Sequence, residues 1–256
     1  NIVLTKFLSL EIFGYYALAK VVGNSLYYII GPVNTSIYPR ITQLVSLSNI
    51  NQLKGFYHYS CKLMSILIIP VGTFISFFSY EIMLYWTGDL LIANESYLLL
   101  SLLIWVYIFN GLMHLPFSMI LAYGWVSTPL LIELIQFIIM TPIIILCASQ
   151  YGVISMIIAM VAINFFSILI FIPVIHTRFL KGEALKWFIK DVGFPMLSSI
   201  CIVLIFRYLF VPMSENLYNI LMLFFLIIFL YLVMVFINKP IRDQILSIFS
   251  AYFKTN

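Results

Sequence analysis

Apolar runs of roughly 20 residues follow one another along this 256-residue chain, and only short joints separate them. A helix of that length spans the hydrocarbon core of a bilayer, and in lipid only helices and closed barrels satisfy all their backbone hydrogen bonds. We therefore predict an all-α polytopic membrane protein with about seven transmembrane helices. The predicted spans are residues 13–38, 59–84, 97–121, 128–148, 153–175, 192–210 and 218–237.

Composition supports the membrane environment. Hydrophobic residues make up 64% of the chain and charged residues only 9%, whereas a soluble domain carries roughly 25% charged residues. The mean hydropathy is +1.12. Because the joints are so short, the sequence leaves no room for a soluble domain.

Basic residues cluster on one side of the predicted membrane. They flank the connections after spans one and five and the C-terminal tail: Arg40, Lys54, Lys62, Arg178, Lys181, Lys186, Lys190, Lys239, Arg242 and Lys254. The opposite side holds mainly acids: Glu11, Glu81, Asp89, Glu95 and Glu215, with Lys6 and Arg207. The positive-inside rule then predicts a periplasmic N-terminal end and a cytoplasmic C-terminus. The net charge of +4 reflects this topology and indicates no nucleic-acid partner.

A polar stripe runs down the first predicted span. Its members are spaced by three or four residues and would occupy about 80° of a helix surface. They are Tyr16, Lys20, Asn24, Tyr27, Gly31, Asn34 and Tyr38. A lysine in the middle of a span costs about 2.5 to 3.5 kcal/mol, so Lys20 is expected to face water, a partner or a substrate. The stripe either lines a lumen that attracts anions or packs as a polar seam against another helix.

Two further spans carry polar residues. Span three has a second stripe, formed by Tyr107, Asn110, His114 and Ser118. His114 is either a hydrogen-bonded structural residue or a lumen-facing group that titrates near neutral pH. In span four, Glu133 is a candidate for proton or cation coupling, and the alternative is simple pairing with a basic residue of a neighbouring span.

The cytoplasmic connection between spans five and six alternates basic and apolar residues at helical spacing over residues 178–188. This pattern predicts a segment that lies on the anionic inner leaflet. Arg207, near the outer end of span six, is predicted to snorkel to the headgroups as an anchor.

Several short motifs carry a family resemblance. Gly14-Tyr15-Tyr16-Ala17-Leu18-Ala19 leads into a long helix that ends at Tyr38-Pro39-Arg40-Ile41, followed by Leu44. Further motifs are Tyr85-Trp86-Thr87-Gly88-Asp89, Asn110-Gly111-Leu112, Ala122-Tyr123-Gly124 and Tyr151-Gly152. Together they resemble bacterial polysaccharide flippases of the multidrug/oligosaccharidyl-lipid/polysaccharide exporter superfamily, which are similar to MATE transporters. The resemblance covers most of the chain and rests on loose patterns rather than catalytic signatures.

The resemblance implies a domain organisation. Residues 1–176 match an incomplete C-terminal lobe of about five spans, and residues 177–191 form a cytoplasmic amphipathic connection. Residues 192–237 match an appended helix pair, and residues 238–256 a cytoplasmic tail. The N-terminal lobe of the same protein is then an expected partner, and the chain is expected to be a fragment, because alternating access requires two lobes.

The resemblance also implies a function. Such flippases move an oligosaccharide linked to undecaprenyl diphosphate across the bacterial inner membrane, as an O-antigen or capsule unit. The implied substrate-binding residues are Tyr16, Lys20, Asn24, Tyr27, Asn34, Asn110 and His114, with Glu133 for ion coupling. A polysaccharide polymerase and a chain-length regulator are implied partners besides the bilayer itself. The sequence predicts no metal and no cofactor.

Three other interpretations stay open. A multidrug or cation antiporter of the same superfamily is disfavoured because the first stripe is basic and neutral rather than acidic. A membrane enzyme such as an O-antigen polymerase is disfavoured because the chain has no HExxH, GxSxG or paired carboxylates, and no long external segment. We therefore predict a protein that is not an enzyme. A structural membrane subunit is the third interpretation.

Overall fold

The computed structural model describes residues 9–209, 217–238 and 242–243, and every regular element in this part of the chain is a helix. The elements are α1 (Leu10–Asn24), α2 (Tyr27–Ser46), α3 (Ile50–Phe77), α4 (Ser79–Thr87), α5 (Leu90–Ala122), α6 (Ser127–Phe179), α7 (Ala184–Lys186), a π-helical turn (Trp187–Gly193), α8 (Phe194–Leu209) and α9 (Leu217–Ile237). The prediction of an all-α chain is confirmed for these residues. Most of the predicted tail, residues 238–256, lies outside them.

The described residues contain four helical stretches long and apolar enough to cross a bilayer. These are Ile50–Phe77, Leu90–Ala122, Leu130–Phe179 and Ala184–Leu209. The described side chains of α9 form a further apolar stretch, Phe225–Phe236. The predicted number of about seven spans is therefore not confirmed: span one is divided between two helices, and the single stretch Leu130–Phe179 covers the predicted spans four and five.

Span one is divided between two helices. Ser25 and Leu26 keep helical backbone angles, but their N–H groups bond the carbonyls of Val22 and Gly23, three residues back. This tighter 3₁₀ pattern ends α1 after 15 residues and begins α2 at Tyr27. Since α1 is short and α2 is rich in polar residues, neither is among the four long apolar stretches.

Spans four and five meet at Gly152 inside α6. Gly152 has φ 82° and ψ −177°, a conformation that only glycine adopts readily. The Ser155 hydroxyl donates to the Cys147 carbonyl at 3.1 Å. In a straight helix these residues would be separated by about 12 Å along the axis. The chain therefore reverses sharply at Gly152, where the sequence predicts a joint.

Helix α5 is at the centre of the bundle. It contacts α1, α2, α3, α4 and α6, and its side chains are buried on several faces. Asp89 caps it, accepting from the backbone N–H groups of Leu91 and Ile92 at 2.7 and 3.1 Å. A helix that is apolar nearly all round is expected to be surrounded by other helices, and α5 meets this expectation. It supports the polar side chains described below.

The connection between α6 and α8 is more deeply buried against the other helices than its sequence pattern predicts. Leu180 is fully buried and Trp187 is only 1% exposed, and the π-helical turn packs against α3. The prediction of a segment lying on the lipid surface is therefore wrong for Trp187, although Leu185, Lys186 and Ile189 are exposed. Alternating charge and apolarity identifies an amphipathic helix but does not say whether lipid or protein covers its apolar face.

Arg207 is predicted to anchor the chain at the lipid headgroups, but the structure pairs it with another side chain. Its guanidinium forms an ion pair with Glu81, which follows α3 and is only 7% exposed. The guanidinium also lies 5.1 Å from the centre of the Phe78 ring. This pair ties α4 to α8 at one end of α3.

Candidate functional site

The two polar stripes predicted on different spans lie against each other. The Tyr27 hydroxyl donates to Asn110 Oδ1 at 2.7 Å, and the Ser118 hydroxyl donates to Asn34 Oδ1 at 2.8 Å. These bonds join α2 to α5 in a polar seam, which we define by Tyr27, Asn34, Asn110 and Ser118 together with His114. Helical spacing predicts both stripes but carries no information on whether either packs against another helix.

Aromatic rings extend the seam. The Tyr27 ring meets the rings of Tyr107 and His114 edge-on, at centroid distances of 5.7 and 6.0 Å. Tyr107 in turn packs against Gly23, where an added Cβ would lie 2.7 Å from the tyrosine ring. Small residues at such contacts let helices approach closely. The seam is thus held by ring packing as well as by hydrogen bonds.

A cleft of about 350 Å³ opens at one end of the seam. Its lining residues come from α2, α5, α6 and the turn before α6: Asn34, His114, Phe117, Ser118, Leu121, Val126, Leu130 and Glu133. We call it the Glu133 cleft. It brings together three residues that the sequence nominated separately, in spans one, three and four. Glu133 is exposed there, and none of the ion pairs among the described residues involves it. Its predicted role in ion coupling stays a prediction.

A second cleft, of about 450 Å³, lies along α1. Its lining residues are Phe13, Tyr16, Ala17, Lys20, Val21 and Asn24. Because all of them come from one helix, the described residues form only one wall of this cleft. Tyr16 is 4% exposed and packs into the core, Lys20 is half-buried and Asn24 is exposed. The first stripe is thus divided between two clefts. Tyr16, Lys20 and Asn24 line the cleft along α1, whereas Asn34 lines the Glu133 cleft.

A cluster of charged side chains that sequence analysis did not nominate lies at the other end of α3 from Glu81. His58, on α3, contacts two carboxylates from the segment after α6. Its Nδ1 contacts Asp191 Oδ2 and its Nε2 lies 3.1 Å from Glu183 Oε2. Lys54 and Lys186 reach Glu183 at 3.3 and 3.4 Å. His58 and Asp191 are 5% and 3% exposed.

No local signal identifies this cluster in the sequence. The histidine and its carboxylate partners are separated by 125 and 133 positions, and none of the three forms a recognisable motif. The only available hint is that Lys54, Lys186 and Lys190 fall on one predicted side of the membrane. Among the described residues, no three His, Cys, Asp or Glu side chains are grouped so that they would hold a metal ion.

The charge state of Glu183 predicts an effect of pH. Desolvation raises the pKa of its carboxyl, but the hydrogen bond from Lys54 and the charge of Lys186 outweigh it, so the pKa lies below its usual value. A depressed pKa contributes stability above the usual carboxyl pKa and loses it as the pH falls through the lowered pKa. We therefore expect Glu183→Gln to cost roughly 1 kcal/mol at neutral pH.

Thermal unfolding in detergent at a series of pH values measures this contribution. The wild type is expected to lose stability in acid, and the difference from Glu183→Gln is expected to shrink there. An equal difference at neutral and acid pH would contradict the assignment of the lowered pKa to Glu183.

The described part of the chain is all-helical, and four of its helical stretches are long and apolar enough to cross a bilayer, as in multi-pass membrane proteins. No protein-family model matches the chain, no curated protein matches it, and no solved structure matches its fold.

Proposed function

We propose that this chain belongs to a flippase that moves an oligosaccharide linked to undecaprenyl diphosphate across the bacterial inner membrane. In this proposal the chain crosses the membrane about seven times, with its N-terminal end periplasmic and its C-terminus cytoplasmic. The observation that carries it is the polar seam, because two polar stripes on separate helices, α2 and α5, meet beside a cleft. Polar groups inside a membrane protein are costly and usually mark a pathway.

The chemistry of the two clefts suits the two parts of such a substrate. Lys20 on the first cleft offers a counter-charge to a diphosphate. Amide, hydroxyl and ring groups of the seam, such as Asn34, Tyr27 and His114, suit a sugar. Lys20 and Asn34 are 14 positions apart, which is about 21 Å along a helix. An extended lipid-linked head group would bridge that distance, with its lipid tail in the bilayer.

Alternating access requires a second lobe. In the proposed flippase, the N-terminal lobe of the same protein supplies the wall opposite α1, which is the wall that the described residues provide. The two lobes then rock about the substrate. A polysaccharide polymerase and a chain-length regulator are proposed to act after the flipping step.

A cation antiporter is the second candidate, and the Glu133 cleft favours it. A carboxylate and an imidazole on one cleft, Glu133 and His114, are suited to a cation or proton. The two candidates differ in the residue they need most. An antiporter depends on Glu133, whereas a flippase for a diphosphate depends on Lys20.

A genetic test separates these candidates. In a host that lacks this gene, surface polysaccharide is expected to be lost and the lipid-linked unit to accumulate in the inner leaflet. The wild-type gene is expected to restore export, Lys20→Ala to fail, and Lys20→Arg to restore it in part. Lys181→Ala, which removes an exposed lysine, is the matched control and is expected to behave as wild type.

Two results would contradict the proposal. Unchanged surface polysaccharide in the host without the gene would overturn the flippase function. Full restoration by Lys20→Ala at equal membrane expression would overturn the role of Lys20. Loss of resistance to cationic compounds with Glu133→Gln, with normal surface polysaccharide, would support the antiporter.

A further inference from the structure

His58 is placed so that each of its ring nitrogens meets a different carboxylate. Nδ1 contacts Asp191 and Nε2 contacts Glu183, both at hydrogen-bonding distance. The imidazole lies on α3, whereas both carboxylates lie on the segment that connects α6 to α8. His58 therefore bridges two parts of the fold that are more than 100 positions apart in sequence.

Counting protons shows what this geometry requires. A neutral imidazole has one N–H group, and an ionised carboxylate only accepts hydrogen bonds. Two nitrogen-to-carboxylate bonds therefore need one proton more than a neutral histidine with two ionised carboxylates provides. That proton resides either on the imidazole, as imidazolium, or on one of the carboxylates. Lys54 and Lys186 keep Glu183 ionised, which assigns the Nε2 proton to the bond with Glu183.

The additional proton then lies between His58 and Asp191, in the most buried part of the cluster. If it leaves, a nitrogen lone pair faces a carboxylate oxygen at contact distance, and this arrangement is repulsive. Both side chains are nearly inaccessible to water, so solvent cannot screen the repulsion. The contact would have to separate.

Other groups surround this pair on every packed element. From α3 they include Lys54, Tyr57, Cys61 and Lys62, and from α6 His176. From the connecting segment they include Glu183, Lys186 and Lys190. His176 Nε2 is buried without a hydrogen-bond partner among the described residues, whereas the Tyr57 hydroxyl and the Trp187 indole N–H bond the Cys61 thiol. An unsatisfied buried polar atom is costly, and a thiol is a weak hydrogen-bonding partner.

Asp191 is carried by the π-helical turn Trp187–Gly193. π-Helical turns are rare and occur often at functional positions. Gly193 permits the turn, because a Cβ at this position would lie 2.5 Å from the Phe188 carbonyl oxygen. Trp187, four positions before Asp191, is 1% exposed. Release of Asp191 would free the whole turn, including Trp187, from α3.

We propose that His58, Asp191 and Glu183 form a buried proton-binding site that latches the π-helical turn to α3 and opens when its proton is lost. The site is separate from the Glu133 cleft and does not depend on the identity of the transported substrate.

Acrylamide quenching of Trp187 tests the latch. The full-length chain is prepared in lipid nanodiscs with Trp86, Trp105 and Trp125 replaced by Phe, so that Trp187 is the only indole. The Stern–Volmer constant is measured from about pH 5 to about pH 9, a range that includes the usual transition of histidine. We expect it to rise several-fold as the proton leaves. A constant that stays the same over this range would overturn the proposal.

Substitutions assign the effect to the triad. In Asp191→Asn and Glu183→Gln, an amide N–H can donate to a neutral imidazole, so the latch needs no additional proton. We expect low quenching at every pH in both variants. Glu183 is partly exposed, so its variant is expected to fold even if the other does not. A pH-dependent rise that persists in Glu183→Gln would contradict the proposal.

The other two histidines of the chain are matched controls. We expect His176→Gln and His114→Gln to keep the pH-dependent rise, whereas His58→Gln loses it. Nitrogen-15 spectra of histidine-labelled protein provide an independent readout. The resonances that disappear in His58→Gln are expected to show a protonated Nε2 in the latched state and an Nδ1 shift that changes as the latch opens. Wild-type pH dependence in His58→Gln, or its loss in His176→Gln, would overturn the proposal.

Discussion

Arg207→Ala is expected to destabilise the protein by about 3 kcal/mol, because breaking an ion pair leaves a buried charge without compensation. Glu81 is 7% exposed, and its Oε2 has no hydrogen-bond partner within the described part of the chain. The guanidinium of Arg207 is therefore the main group that offsets the desolvation of this carboxylate. Thermal or denaturant unfolding in detergent would measure the loss.

The double-mutant cycle with Glu81→Gln identifies the cause. Glu81→Gln removes the buried charge, so adding Arg207→Ala to it is expected to cost much less than Arg207→Ala alone. Arg40→Ala is the matched control, since Arg40 is exposed on the surface of α2 and its guanidinium donates to the Gln43 side chain of the same helix. We expect it to change stability by less than about 0.5 kcal/mol. Equal costs of Arg207→Ala in the two backgrounds would show that the ion pair is not responsible.

The pairing of Glu81 with Arg207 also bears on topology. Charge counting placed both residues on one side of the membrane, and placed Lys54 and Lys186 on the other. In the structure, Glu81 and Lys54 lie at opposite ends of α3, and each pairs with a residue of the same predicted side. The relative placement agrees with the prediction. The side of the membrane that each end faces stays a prediction.

Hydropathy predicts where the helices of this chain form, but it does not predict where each helix ends. Helices α3 and α5 each contain a long stretch that is apolar on average, so a sliding hydropathy window detects them. The division at Ser25 and Leu26 depends on a local change from α to 3₁₀ hydrogen bonding, which leaves hydropathy unchanged. Helical periodicity alone therefore joined α1 and α2 into one span.

In the candidate site, too, local patterns are predictable from the sequence and contacts between helices are not. Helical spacing identified Tyr27 and Asn34 on one helix, and Asn110 and Ser118 on another, because each stripe is a local pattern. Which stripe meets which is a tertiary property, and spacing within one helix carries no information on it. The His58 cluster is harder still, because it depends on three residues without periodicity and on a π-helical turn.

The backbone conformation of Gly152 allows the chain to reverse between the two halves of α6. Its φ of 82° and ψ of −177° fall in a region that is open almost only to glycine, and a β-branched residue there is strained most. We expect Gly152→Val to destabilise the protein by about 3 kcal/mol. Gly55→Val is the matched control, because Gly55 is exposed within α3 and has open space around it.

Distance measurements would show whether the reversal itself is lost in Gly152→Val. Spin labels at the exposed positions Ile139 and Phe166 lie on either side of Gly152. In a continuous helix they would be about 40 Å apart, whereas a chain that reverses at Gly152 brings them much closer. We expect the short distance in the wild type and in Gly55→Val. In Gly152→Val we expect either a longer distance or the same fold with reduced stability. Wild-type distance and stability in Gly152→Val would show that this backbone conformation does not determine the reversal, and that packing of α6 against α5 does.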